Sequence, residues 1–114
     1  MQIEIVQGSA GAALAIRALG QLLLYDVANP AKPVELTPFR TPGRAQRVSI
    51  RGAMAFVADG PEGLQVVDLS TPSKPSIVGG YKTANPAIDV AVTDTLALVV
   101  LRGGDVIILR QSGN

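Results

Sequence analysis

The stretch "VDLSTPSKPSIVGGY", Val67 to Tyr81, has a near-copy earlier in the chain, "YDVANPAKPVELTPF", Tyr25 to Phe39. Both carry an aspartate, a proline and a Lys-Pro pair at the same internal spacing, 42 residues apart. The offset also matches residues outside the two stretches, so that the identical pairs are Asp26/Asp68, Pro30/Pro72, Lys32/Lys74, Pro33/Pro75, Thr41/Thr83, Ala45/Ala87, Val48/Val90, Ala55/Ala97 and Val57/Val99. Self-similarity at a fixed period of this length is the signature of a repeat architecture.

Extended towards the N-terminus, the same offset indicates a third copy. It places Val6, Ala13, Leu22 and Asp26 over Val48, Ala55, Leu64 and Asp68. We therefore predict one repeat domain over residues 1–114, divided into units 1–40, 41–82 and 83–114.

Each unit has the pattern of short β-strands. "QRVSIR" alternates, whereas "AMAFVAD" and "LQVVDL" are continuous apolar runs, as in strands covered on both faces. Gly52 and "DGPEG" (residues 59–63) lie between these segments and are typical of hairpin turns. A weaker fourth strand contains Pro38, which places it at the edge of the sheet. The predicted strands cover 3–8, 11–17, 20–26, 33–40, 45–51, 53–59, 63–69, 75–82, 86–93, 95–101 and 105–110, with no helix longer than a turn or two. The predicted fold class is all-β.

A four-stranded unit that recurs every 42 residues has the period of a β-propeller blade. The central copy also resembles the LVIVD-repeat β-propellers, in the segments Ala55–Asp59, Gly63–Asp68, Val78–Tyr81 and Asp89–Val92. The outer copies depart from that pattern, with "ALAIRALGQLLLYD" in the first and "ALVVLRGGDVIIL" in the last. The resemblance implies a bacterial or archaeal repeat protein of unclear activity, in an extracellular or cell-surface location.

A propeller model predicts which apolar residues are buried between blades. They are Val48, Ile50, Phe56, Val57, Leu64 and Val66 in the second unit and Val90, Val92, Leu98, Val99, Val106 and Ile108 in the third. The third unit has three predicted strands and no outer fourth strand.

Three blades are fewer than the four to eight that close a propeller, so an apolar blade face is left open at each end. We expect two copies to form a six-bladed ring as a homodimer; the alternative is a piece of a longer propeller whose other blades cover these faces. The net charge of +1 does not suggest a nucleic-acid partner, and the apolar runs are too short for a membrane span. No other protein partner can be named.

The chain offers little chemistry for catalysis. It has no histidine, cysteine or tryptophan, and no serine elbow or phosphate-binding glycine loop, so we predict no catalytic residue and no cofactor or metal site. In "DGPEG", Asp59 and Glu62 are the one local pair of carboxylates that a calcium ion would suit, although such a pair is more often only a turn.

A weak basic bias marks one rim of the predicted blades, where the second-to-third-strand turns meet the connections between units. This possible ligand rim consists of Arg17, Arg40, Arg44, Asp59, Glu62, Lys82 and Arg102, with Asp105 nearby. Ordinary solubilising charge is the more common use of such residues.

Two classes of function follow. The first, which we favour, is a non-catalytic interaction or assembly module. The second is a fragment of a propeller enzyme whose catalytic residues lie outside this chain, and it requires carboxylates or an ion at the central channel.

Overall fold

The computed structural model describes residues 2–8, 11–18, 20–29, 31–71 and 73–110, and for 2–8 and 11–18 only the backbone pairing is used below. All regular elements in these ranges are β-strands, and they form three antiparallel sheets, which we call blades one, two and three. The predicted all-β fold of propeller blades is confirmed. The part of the chain described here contains no helix long and apolar enough to cross a membrane.

The blades follow one another along the chain, and neighbouring strands in each are also neighbours in sequence. Blade one comprises β1 (Gln2–Gly8), β2 (Gly11–Ala18), β3 (Gln21–Asp26) and β4 (Val34–Glu35). Blade two comprises β5 (Arg47–Arg51), β6 (Met54–Ala58), β7 (Leu64–Asp68) and β8 (Ser76–Tyr81). Blade three comprises β9 (Ala87–Val92), β10 (Leu96–Leu101) and β11 (Val106–Arg110). Strand β5 contacts both β1 and β9, so the first strand of each blade is innermost, as in a propeller.

The repeated aspartates cap the turns that lead to the outer strands. An oxygen of Asp26 accepts a hydrogen bond from the backbone N–H of Ala28 at 2.9 Å, and Asp68 accepts one from Ser70 at 2.8 Å. This is the Asx turn, in which the side chain holds the chain two residues ahead of it. The backbone N–H of Lys32 and Lys74 closes the next turn in each copy, and both side chains are exposed. The repeated motif is therefore structural.

The outer strands are weak, as the prolines predict. Strand β4 has two residues. Beyond it, the backbone N–H of Leu36 donates to the carbonyl oxygen of Leu24 in β3, and an isolated bridge joins Leu22 to Phe39, just after Pro38. Strand β8 is exposed along its whole length. The fourth strand of a blade thus contributes little to the packed interior.

Blade one follows the 42-residue repeat less closely than the other two blades do. The structure places Ala13 opposite Asp26, which is the position that Met54 has opposite Asp68. The predicted match of Ala13 with Ala55 is therefore one residue out of register. The cause is the turn after β2, which is shorter than residues 59–63 after β6. Leu22 and Asp26, which follow this turn, keep the predicted correspondence.

Two hydrophobic cores hold the blades together. The core between blades one and two contains Leu22, Leu24, Ala45, Val48, Ala55, Val57, Val67 and Leu69, all buried. The core between blades two and three contains Phe56, Ala58, Leu64, Ala87, Val90, Ala97, Val99 and Leu101. Strand β6 supplies both, because alternate side chains point to opposite faces of a sheet.

The predicted buried residues lie in these cores with three exceptions: Leu98, Val106 and Ile108 belong to neither core. Val48, Phe56, Val57, Leu64, Val90 and Val99 are buried, while Ile50, Val66, Val92 and Leu98 are half-buried. Val106 and Ile108 are instead 52% and 63% exposed. Both lie on the face of blade three turned away from blade two, against which none of the described residues packs, so for this chain alone their predicted burial is wrong.

We expect Phe56→Ala to destabilise the fold by about 3 kcal/mol or more, because truncation of a buried ring leaves a cavity in a packed core. Phe56 is 5% exposed and borders a cleft of about 250 Å³ between blades two and three. Urea denaturation measures the change. Val78→Ala, at a residue 55% exposed on β8, is the matched control and should alter the free energy of unfolding little. Equal midpoints for the two variants would contradict the assigned core.

Candidate functional site

In blades one and two, the turn after the second strand meets the start of the next blade. The backbone N–H of Ala45 donates to the carbonyl oxygen of Gly20 at 3.0 Å, and that of Ala87 donates to Gly60 at 2.9 Å. We call this edge the turn rim: residues 20–21 and 59–63 together with the connections 40–46 and 82–86. These bonds bring the second-to-third-strand turns against the connections between blades.

Asp59 is the anchor of the turn rim. Its carboxylate accepts a hydrogen bond from the hydroxyl of Thr41 and another, at 2.8 Å, from the backbone N–H of Gly43. Its own backbone carbonyl accepts from Arg44 at 3.3 Å and from Glu62 at 3.2 Å. One residue at the end of β6 therefore fixes both the turn that follows it and the connection arriving from blade one.

Burial governs the charge state of this carboxyl group. The side chain of Asp59 is fully buried, and this desolvation raises its pKa above the ordinary value of 3.8. The hydrogen bonds from Thr41 and Gly43 act in the opposite direction, because they stabilise the ionised form, and the nearby Glu62 adds to the increase. Asp59 is a buried structural carboxyl group, not one presented on the surface of the rim.

Glycine is required at position 43 by close approach. A Cβ atom there would lie 2.1 Å from the backbone oxygen of Asp59, a separation that no side chain tolerates. The connection can therefore lie directly on Asp59 and donate to its carboxylate. Neither Thr41 nor Gly43 was among the predicted site residues, although the identity of Thr41 and Thr83 across the repeat was a signal for the first.

The structure places the other predicted rim residues in different settings. Arg40 and Arg44 line a cleft of about 340 Å³ together with Gly20, Gln21, Thr41 and Gly43. Lys82 forms an ion pair with Glu62 at 3.6 Å. Arg102 and Asp105 lie exposed at the turn of blade three. The side chain of Arg17, in β2, lies outside the described residues.

The carboxylates do not converge on a metal site in the described ranges. The sequence suggested Asp59 and Glu62 as a pair that could bind calcium. In the structure the carboxylate of Asp59 accepts hydrogen bonds from Thr41 and Gly43, and that of Glu62 forms an ion pair with Lys82. Within residues 20–29, 31–71 and 73–110 no group of three or more potential ligand side chains could hold a metal ion. That the chain is not an enzyme stays a prediction.

The innermost strands of blades two and three carry an ion pair. Arg47 of β5 lies 3.6 Å from Asp89 of β9, and both side chains are about half exposed. The two residues occupy equivalent positions, 42 apart, in successive blades. Arg51 and Asp94 form a second pair between the same two blades. These contacts tie blades together, and exposed pairs of this kind contribute little to stability.

Comparison with known proteins agrees with the repeat. Residues 42–83 match the family model of the LVIVD repeat, which confirms the resemblance predicted from the central copy. No curated protein matches the chain.

We expect Asp59→Asn to be tolerated and Asp59→Ala to be costly at neutral pH. An asparagine can accept from the N–H of Gly43 and donate to the hydroxyl of Thr41, which serves as either donor or acceptor. Alanine leaves both groups unpaired, at a cost of about 1–3 kcal/mol for a buried polar group. Urea denaturation of the two variants tests this, and equal losses would show that the negative charge itself is required.

The stabilities of wild type and Asp59→Asn should depend differently on pH. Because the folded-state pKa of Asp59 is raised, the native state binds more protons than the unfolded state between 3.8 and that raised value. The contribution of Asp59 to stability therefore increases as the pH falls through this window. Wild type should gain stability relative to Asp59→Asn in acid, whereas a loss would mean that the hydrogen bonds outweigh desolvation.

Proposed function

We propose that this chain, in which residues 42–83 are an LVIVD repeat, is a non-catalytic propeller module that assembles through its blade faces, two copies giving a six-bladed ring. The observation that carries the proposal is the exposed apolar face of blade three. Val106 and Ile108 are 52% and 63% exposed there, and half-buried Leu98 and Val100 lie beside them in the sheet. We call these four residues the free face.

The repeat indicates what such a face is built to do. The residues 42 positions earlier are Phe56, Ala58, Leu64 and Val66, in the same order. In blade two these four residues pack against blade three. The free face thus has the position and the apolar character of a surface that already joins two blades in this protein.

The partner surface we propose is the outer face of blade one of a second copy. Leu23 and Tyr25 alternate along β3 with the core residues Leu22 and Leu24, so they lie on the opposite side of the sheet. Two repeat lengths, or 84 residues, separate them from Ile107 and Leu109, so the four residues occupy equivalent positions. Ile107 and Leu109 pack in the core between blades two and three. Joining the free face of one copy to Leu23 and Tyr25 of the next repeats the internal blade contact.

Two such junctions close a ring of six blades without an unpaired face, which favours a closed dimer over an open filament. A further blade of a longer chain would cover the same face with the same chemistry. In that case the partner is intramolecular, and the assembly role belongs to the whole propeller. An enzyme built on such a propeller would draw its catalytic residues from other blades.

We expect Ile108→Asp to abolish self-association, since a carboxylate would be desolvated in the junction between copies. Sedimentation velocity over a concentration series should give twice the mass of the chain for wild type and the mass of one chain for the variant. Val78→Asp is the matched control, because Val78 is 55% exposed on β8, at the outer edge of blade two. A stable, monodisperse wild-type monomer at micromolar concentration would contradict the ring.

A further inference from the structure

The two connections between blades can be compared with each other. We call the region where residues 40–46 join blades one and two the first junction, and the region where residues 82–86 join blades two and three the second junction. Phe39 bridges to Leu22 and Tyr81 pairs with Leu64, so the residues that follow, Arg40 and Lys82, occupy equivalent positions. The next residues are both threonines, at 41 and 83, and each is buried. The two connections therefore start alike, but the turns that they meet differ: residues 59–63 follow β6, whereas two residues separate β2 from β3.

At the second junction the positive charge is compensated. The turn after β6 supplies Glu62, and its carboxylate lies 3.6 Å from the ammonium group of Lys82. At the first junction β2 ends at Ala18 and β3 begins at Gln21, and the sequence between them, a leucine and a glycine, contains no acid. Among the described residues, no carboxylate forms an ion pair with Arg40 or Arg44.

The first junction also has open space next to these charges. Its cleft of about 340 Å³ is lined by Arg40, Arg44, Gln21 and the backbone near Gly20 and Gly43. The side chain of Arg44 lies across Gly20, where an added Cβ atom would be 2.6 Å from its Cγ atom. Gly20 also has a φ of +74°, a left-handed conformation that favours glycine, so the side chain of Arg44, and none from position 20, borders this part of the cleft.

We propose that the cleft binds a small organic carboxylate, whose charged group takes the part that Glu62 plays for Lys82. Arginine suits this task, because its planar guanidinium group pairs with a carboxylate through two parallel hydrogen bonds. Two arginines beside one cleft fit a dicarboxylate. The site lies on the turn rim and not on the free face, so it is independent of the proposed assembly.

The buried Asp59 beneath the cleft does not cancel this charge. Both of its oxygens are engaged, by the hydroxyl of Thr41 and the N–H of Gly43, so it is turned into the protein. Its burial disfavours the ionised form. Even when ionised, Asp59 carries one negative charge against the two positive charges of Arg40 and Arg44, so the cleft retains a net positive charge.

Titration with succinate, followed by the amide NMR shifts of the intact chain at constant ionic strength, tests the proposal. The amides of Gly20 and Gly43 should shift, and succinamide, the uncharged analogue of the same size, should leave them unmoved. Arg40→Gln with Arg44→Gln should weaken binding about tenfold or more, the effect expected for the loss of charge-assisted hydrogen bonds. Lys74→Gln, a single charge change at an exposed turn lysine, is the control and should have no effect.

Each contrary result overturns a defined part of the proposal. Equal weakening by Lys74→Gln, or shifts spread over all basic surfaces, would reduce it to nonspecific charge attraction. Tighter binding of inorganic phosphate with the same dependence on the two arginines would replace the carboxylate by a phosphate ligand.

Glu62→Gln adds a gain-of-function test, because it should free Lys82 and produce a second, weaker set of shifts at residues 82–86. The double arginine variant should have the same mass in solution as wild type, because the free face is unchanged.

Discussion

The arrangement of blades depends on the alternation of side chains along the middle strands of blade two. Ala55 and Val57 of β6 pack against blade one, while Phe56 and Ala58, which alternate with them, pack against blade three. A slip of one residue would send each side chain into the wrong core, so the two cores fix the register of the strand together. Small residues alternate with large ones on both sides, which allows the neighbouring sheets to approach closely.

Strand β7 continues this division by the same alternation. Leu64 and Val66 pack towards blade three, and Val67 and Leu69 pack towards blade one. The register of β7 against β8 shifts between Val66 and Val67, where the partner changes from Gly79 to Ile77. The extra residue, Val78, therefore lies in the edge strand β8, and the bulge leaves the alternation of β7 intact.

The repeats share the same strands and turns, but the side chains on their surfaces differ. The proposed functions depend on these differences. The Asx turns at Asp26 and Asp68 are the same in two blades, so they belong to the scaffold. The junctions are not the same, since Glu62 neutralises Lys82 while Arg40 faces an open cleft. The free face of blade three occupies the position of an internal contact surface and is also apolar, but no described residue packs against it. Assembly and ligand binding therefore concern separate surfaces of the molecule.

The sequence by itself determined the strands, their grouping into units and most of the core. The 42-residue offset and the apolar runs located eleven strands to within a few residues, because turn residues and alternation are local properties of the chain. The strand β4 is much shorter than the predicted 33–40, since its prolines remove the donors that a longer ladder needs.

Only the tertiary structure decided which charges on the rim are free. Asp59, Glu62 and Arg40 look alike in the sequence as charged loop residues, yet one is buried, one is paired and one lines a cleft. Burial and pairing depend on which connection crosses which turn. That is a contact between residues 16 to 20 positions apart, brought about by the docking of one blade on the next. No local pattern records it, because the partners meet only after both cores have formed.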